Sequence, residues 1–338
     1  VPFLQRTSTY TPTTKIYNIK GDFQMIGNTN LTLVDYSDNG NNSGDMEYVD
    51  VDGIPTTLNS SSATLDFPKE IPEMKPECSN IIYAGLYWIG RAHDGTSPNV
   101  FMAGGNTNNY QNNNTVSGYT LEISSTEGNP QTATYTFTPA TGSPVIFKLT
   151  TNDNEEITGL TVQTGINGTP ANLTSTRTDY NSWWLSENYV EATLNNPYII
   201  NTGTASIVVN NLRSSTDNNE IDATFRVNVT SGGKILDKSV VYLKHEDDTG
   251  YDEITAADIS FTQNIYYPTN SAGNMFSAYA EVTDYVKQYG LGEYTVADIA
   301  LIAGDDTSGT GFFGGWGMIV VYENSKMKWR DVTIFDGY

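Results

Sequence analysis

Residues Gly314 to Tyr338 read GGWGMIVVYENSKMKWRDVTIFDGY. A glycine-lined bend leads into Met318-Ile319-Val320-Val321-Tyr322, and Glu323-Asn324-Ser325-Lys326 separates that run from a second one, Trp329 to Phe335. β-Branched and aromatic residues bounded by Gly on one side and Asn-Ser on the other predict strand, turn, strand. The first strand is apolar on both faces, which places it in the middle of a sandwich rather than at its edge. Only one other stretch has the same character, NIIYAGLYWIG from Asn80 to Gly90. The two are expected to share one core.

Working outward, Lys15 to Lys20 predicts a first strand, and Asp22 to Val34 follows with Phe23, Met25, Leu31 and Leu33 as inward residues. Gly104 to Gly118 is almost purely polar and reads as a loop, because it has nothing to bury. Tyr119–Ser124, Thr132–Pro139 and Val145–Thr151 alternate with a period of two and lie at hairpin spacing, which predicts an antiparallel meander. Further strands are expected at Ile157–Gln163, Tyr189–Leu194, Ser206–Leu212, Ile221–Thr230, Ile235–Lys244 and Glu293–Ile302. The best helix signal lies near 282–289, with Thr283 as its cap and Gly290 ending it in a left-handed conformation. The fold class is therefore all-β: an antiparallel β-sandwich, jelly-roll-like, with long polar loops and one short helix. Residues 1–338 are expected to form a single elaborated domain, with 100–215 as an insertion or subdomain, and to be a piece of a longer protein.

The chain of 338 residues is long enough to bury a core without disulfides. Its one cysteine, Cys78, has no intrachain partner and is expected to be a buried thiol. Thirty-nine acidic against 17 basic residues give a formal charge of -22. Such a surface repels nucleic acid and anionic membranes and favours cations. No run of roughly 18 apolar residues is present to form a membrane-spanning helix. Abundant Asn, Thr, Ser, Gly and Tyr with scarce Lys and Arg suit a secreted β-protein.

Two acidic loops are candidate cation sites. Asp35, Asp38, Asp45, Glu47, Asp50 and Asp52 lie in a loop rich in Gly and Asn, and such carboxylates and carbonyls suit Ca²⁺, which takes about six to eight oxygen ligands. The spacing lacks the D-x-D-x-D-G run of an EF-hand, and a solvated turn cluster uses the same residue types. Glu246, Asp247 and Asp248 follow His245 in the second loop. No H-E-x-x-H accompanies them, which excludes a zinc protease. Trp183 and Trp184 point to opposite faces of an extended chain, so one of them is a candidate ligand-binding platform for a sugar ring, against packing of both inside. His93 opens a loop and reads as a polar loop residue.

Three blocks converge on a known pattern: IIYAGLYWIG (81–90), AYAEVTDYVKQYGLGEYTVADI (278–299) and GGWGMIVVYENSKMKWRDVTIFDGY (314–338). In that order they resemble a β-rich domain near the N-terminus of large bacterial surface proteins. The stretch GDFQMIGNTNLTL followed by MEYVDVDG resembles versions from Bacteroidota, in secreted adhesins of the gliding-motility kind. The resemblance implies a non-enzymatic module at the bacterial cell surface, type IX secretion and an extracellular filament setting. Partners would be a glycan, a surface protein or a neighbouring copy, with bound calcium as a brace. It transfers no catalytic residues. Two other readings compete. A glycoside hydrolase needs two carboxylates facing each other across a cleft, with Glu246, Asp247, Asp305 and Asp306 as candidates. A self-assembling fibre subunit would add the extended N-terminus to a neighbour's sheet edge.

Overall fold

The computed structural model describes residues 16–36, 44–91, 99–126, 128–152, 154, 156–182, 187–201, 206–215, 225–261, 275–304 and 312–335. The fold is all-β, built from antiparallel sheets with one short α-helix, Thr283–Tyr289. The chain divides into two compact units. A split unit comprises Val1–Val100 with Leu236–Tyr338, and a continuous unit comprises Phe101–Ile235. Each is a sandwich of two sheets.

In the split unit the six-stranded sheet runs, in spatial order, Asp258–Phe261, Met275–Glu281, Asn80–Arg91, Phe313–Glu323, Ile16–Thr29 and Trp329–Thr333. The two sequence-defining strands are therefore adjacent and central, paired from Phe313 opposite Arg91 to Glu323 opposite Asn80. The strands on either side of the Asn324 turn do not pair with each other. Ile16–Thr29, a single 14-residue strand, lies between them and pairs with both. The four-stranded sheet, Asp252–Thr255, Val240–His245, Gly292–Ala297 and Ser60–Leu65, covers the inner face. Leu86, Trp88, Met318 and Val320 are fully buried there, as are Leu243 and Val296 of the covering sheet. Phe67 stacks on Tyr322 at 3.6 Å between ring centroids.

Polar groups cross the same core. Trp316 donates its indole N–H to Ser61 Oγ at 2.9 Å, and Ser61 donates to Asn30 Oδ1 at 2.7 Å. The Asn30 amide nitrogen donates to Asn59 Oδ1 at 2.9 Å and to the Val296 carbonyl at 3.1 Å. Asn59 also holds both backbone groups of Ile299, donating to its carbonyl at 2.9 Å and accepting from its N–H at 3.1 Å.

The continuous unit packs two sheets on one core. The first runs Asn114–Val116, Tyr119–Thr126, Gln131–Pro139, Val145–Thr151, Ile157–Thr164 and Ala171–Asn172, a meander in sequence order. The second runs Ser175–Ser182, Glu187–Asn201, Ser206–Ser215, Arg226–Ser231 and Asn106–Tyr110. Tyr135, Phe137, Phe147 and Leu149 of the first sheet meet Ile207, Val209, Leu212 and Val227 of the second, all fully buried. Phe147 sits edge-on to both Phe137 and Tyr198.

Several sequence expectations need correcting. Phe23 and Met25 are 47% and 61% exposed, on the outer face of their sheet. Cys78 is exposed, on a short 3₁₀ turn. The polar stretch after Gly104 is not all loop: Asn106–Tyr110 is an edge strand whose backbone pairs with Arg226–Ser231, and its first four side chains are exposed. Thr283 does not cap the helix. Val282 occupies that position, and the buried Thr283 hydroxyl accepts the Ala84 amide at 3.0 Å. Gly290 ends the helix with φ 78°, as expected.

Replacing Asn59 with alanine leaves the Ile299 N–H, the Ile299 carbonyl and the Asn30 amide each short of a partner. Every buried polar group stranded in this way costs about 1–3 kcal/mol. The urea unfolding midpoint of Asn59→Ala is therefore expected to fall by the equivalent of at least about 3 kcal/mol, and an unchanged midpoint would contradict the network.

Candidate functional site

Two places in the split unit gather chemistry. The first is a cleft of about 250 Å³ whose lining includes Asp52, Lys244, His245, Glu246, Tyr251 and Glu293. Of its carboxylates, Asp52 and Glu246 come from the two acidic loops and are engaged locally, while Glu293 comes from the strand Gly292–Ala297. Asp50 Oδ1 accepts the Gly53 N–H at 3.2 Å and the Ser60 hydroxyl at 3.1 Å. Asp52 Oδ1 accepts the Ile54 N–H at 2.7 Å and the Thr57 hydroxyl at 2.9 Å, and its Oδ2 accepts the Tyr251 hydroxyl. These are the turn-closing bonds that Asp makes to nearby N–H groups and hydroxyls. Tyr251 does something further: it ties the two acidic loops together.

The second loop is organised by His245, which is fully buried. Its Nδ1 accepts the Asp247 N–H at 3.1 Å, which leaves Nε2 to carry the proton toward the Leu291 carbonyl at 3.2 Å. That pattern makes Nδ1 the acceptor and Nε2 the donor. Tyr289 stacks on it and Tyr294 meets it edge-on. The His245 N–H donates to the Tyr285 hydroxyl, which in turn donates to Asp248 Oδ2 at 2.9 Å. Glu246 Oε1 accepts the Glu293 N–H at 3.1 Å, while the Asp247 side chain is 82% exposed. Sequence reading noticed His245 as half of a metal site. Here both nitrogens are committed to backbone groups and the ring is core.

Asp35, Asp45 and Glu47 are exposed, and Asp38 lies outside the described residues, as do His93, Trp183, Trp184, Asp305 and Asp306. Among the described residues no three carboxylate, thiol or imidazole groups converge where a metal ion could be held. Of the expected calcium ligands that are described here, Asp50, Asp52, Glu246 and Asp248 accept hydrogen bonds from their own and neighbouring loops. No helix among the described residues is long and apolar enough to cross a membrane.

The second place is the outer face of the six-stranded sheet. Register lines up Phe23, Val321 and Tyr83 in one row, then Met25, Ile319 and Gly85, then Gly27, Gly317 and Tyr87, then Thr29, Gly315 and Ile89. Gly85 is required by its neighbour: a Cβ there would lie 2.3 Å from the Tyr83 hydroxyl. Across that gap Tyr83 reaches the Tyr279 hydroxyl at 3.0 Å and the Tyr87 hydroxyl at 3.4 Å. Burial raises the Tyr83 phenol far above the usual tyrosine range. Tyr87, Ile89, Phe313 and the backbone of Gly314–Gly317 line a trough of about 390 Å³, with Asn28 and Thr29 at its rim. Ile89 is 45% exposed. Sequence patterning marked these strands as apolar on both faces, but it could not say that one face lacks a covering sheet over part of its length.

Neither a family model, nor a curated protein, nor a solved structure matches this chain.

The carboxylate bonds make stability depend on pH. For Asp52, burial pushes the carboxyl up, but hydrogen bonds from Tyr251, the Ile54 amide and Thr57 outweigh it and hold it below the ordinary 3.8. For Asp248, the Tyr289 hydrogen bond leads, and with Tyr285 and the Gly250 and Thr249 amides it overcomes desolvation in the same direction. A carboxyl depressed in the folded state stabilises the fold fully above its unfolded pKa, and that stability is lost as pH falls through the folded value. The thermal midpoint is expected to drop as pH falls below about 3.8, and Tyr251→Phe is expected to reduce that drop. An identical pH profile for the variant would remove Tyr251 from the account. A second measurement concerns calcium. A cation that braces the fold raises its unfolding midpoint by several degrees when present at about 100 times its dissociation constant. With these carboxylates already bonded, the midpoint is expected to be the same in millimolar Ca²⁺ and in EGTA. A clear rise with Ca²⁺ would overturn that expectation.

Proposed function

We propose that this chain is a non-enzymatic adhesion module of a bacterial cell surface, which meets a protein partner through the outer face of its six-stranded sheet. One observation carries the reading. Phe23 and Met25 on Ile16–Thr29 and Ile89 on Asn80–Arg91, 47%, 61% and 45% exposed, stand on one face of the sheet with Ile319 of the intervening strand between their rows, and Ile89 lines an apolar trough. Isolated exposed apolar residues are ordinary, whereas a contiguous set on one face marks an interaction surface. The set spans three strands, which is wider than one sugar ring, so a protein surface fits it better than a single saccharide.

Two further points support the non-catalytic part. Asp52 and Glu246 of the acidic cleft accept hydrogen bonds that close turns and bridge loops, a structural use of groups that glycoside hydrolysis would need as a catalytic pair. The three sequence blocks that resemble the surface-adhesin domain supply the two central strands, the helix and the strand Gly292–Ala297. The formal charge of -22 adds that the partner's rim is neutral or basic. Secretion to the outside of the cell belongs to the same proposal and rests on the resemblance and on the polar composition.

The test is adhesion under flow. Beads carrying the chain are passed over bacterial cells before and after protease treatment of the cells. Retention is expected on untreated cells, with loss after protease. Met25→Asp combined with Ile89→Asp is expected to reduce retention at least about tenfold, a loss of about 1.4 kcal/mol or more, with unchanged folding because both side chains face solvent. Equal retention by the double variant, or retention that survives protease, would overturn the reading.

A further inference from the structure

The continuous unit holds a cavity that the acidic loops and the outer sheet face do not account for. It is open to solvent and measures about 330 Å³. Gln111, Asn112, Asn113, Ser124 and Ser125 form its polar lining, and Ile123 with Phe225 forms its apolar wall. The sequence explains how it arises. The polar run after Gly104 leaves its edge strand at Tyr110 and passes through Gln111-Asn112-Asn113. It then enters the hairpin Asn114–Val116 and Tyr119–Thr126 through Ser117 and Gly118, both at positive φ. The hairpin therefore brings Asn113 back beside Ile123.

The lining is ordered from below. Asn113 Oδ1 accepts the Ile123 N–H at 2.9 Å, which fixes the amide plane. Phe225 is 4% exposed and belongs to the core between the two sheets, and Ile123 packs against that core.

Its chemistry is selective because of what it lacks. The chain has 39 acidic and 17 basic residues, yet none of the described residues lining this cavity is charged. Three amides and two hydroxyls offer donors and acceptors on neighbouring atoms. An ionic ligand finds no counter-charge here, and a purely apolar one would leave amides unpaired at a cost. A ligand with many hydroxyls and an apolar ring face satisfies both the lining and the wall. The volume lies at the small end of the roughly 300–1,000 Å³ range of ligand pockets, enough for one or two rings.

We propose that this cavity of the continuous unit binds a neutral saccharide of one or two rings. The site is separate from the protein-contact face and does not depend on that reading.

The test titrates the intact chain with N-acetylglucosamine, galactose, mannose and lactose, with glucuronic acid and glucosamine as charged controls. Binding is followed by heteronuclear NMR. At least one neutral sugar is expected to shift the amides of Gln111–Asn113 and Ile123–Ser125, and to bind at least about tenfold more tightly than either charged control. Asn112→Ala combined with Ser125→Ala changes only exposed side chains and is expected to raise the Kd at least about tenfold. Ile89→Asp, on the other unit, is expected to leave it unchanged. Failure of all four neutral sugars to bind would overturn the proposal. So would shifts at other residues, or a double variant that binds as well as the parent chain. None of these outcomes bears on adhesion through the outer sheet face.

Discussion

The split unit depends on the burial of one short stretch of irregular backbone. After the strand Gly292–Ala297 the chain turns at Asp298, at φ 58°, and runs through Ile299, Ala300 and Leu301, all fully buried. Buried backbone outside a ladder must find partners elsewhere. Asn59 supplies them by pairing with Ile299 at both its N–H and its carbonyl, while the Asp298 carboxylate accepts the Leu58 N–H and Tyr48 donates to the Leu301 carbonyl. The side chain of Leu301 then needs a seat. Gly90 and Gly314 face each other across the two central strands, and a Cβ on either would lie within 2.4 Å of Leu301 Cδ2. The glycines that punctuate both hallmark stretches are therefore packing residues as much as bends. They let a leucine from a third segment lie flat on the sheet.

That arrangement shows what a linear reading can and cannot recover. The strands Asn80–Arg91 and Phe313–Glu323 were legible because β-branched and aromatic runs of that length have few other uses, and their shared core followed from their matching character. The meander from Tyr119 to Thr151 was legible from alternation and hairpin spacing. The position of Ile16–Thr29 between two strands that are neighbours in sequence was not, because strand order is set by contacts more than 280 residues apart. The facing of Phe23 and Met25 was misread for a related reason. Alternation separates two faces of a strand but does not say which one another sheet covers. Asn106–Tyr110 was read as loop because an edge strand exposed to water needs only backbone pairing and can dispense with apolar side chains.

The acidic loops show the limit for sites. Asp, Asn and Gly at high density are equally the vocabulary of cation ligation and of tight turns, and spacing did not separate the two. The structure shows where the described oxygens go. Asp50 and Asp52 close the turns around Gly53 and Ile54, and Tyr251 and Tyr285 extend the pattern by reaching from other segments to the carboxylates. Neither tyrosine stood out in sequence, since 22 tyrosines are spread through the chain. Tyr251 lies beside an acidic run, but Tyr285 sits in the helix 37 residues from Asp248, and neither position in sequence reveals a hydroxyl aimed at a carboxylate.

A chain this acidic has a particular problem in recognition. At physiological ionic strength the field of its charges is screened beyond about 8 Å, so it repels acidic partners at close range without steering them from afar. Contact then has to be made where the charge is absent. The rows Met25–Ile319 and Gly315–Ile89 on the outer sheet face carry no charged side chain, and neither do the described residues lining the amide cavity of the continuous unit. One surface is apolar and broad, the other polar and open to solvent, so the partners proposed for them differ: desolvation would favour the one and hydrogen-bond satisfaction the other. Charge on the remainder of the surface disfavours adventitious contact with acidic macromolecules, so under these proposals specificity falls to the two neutral surfaces.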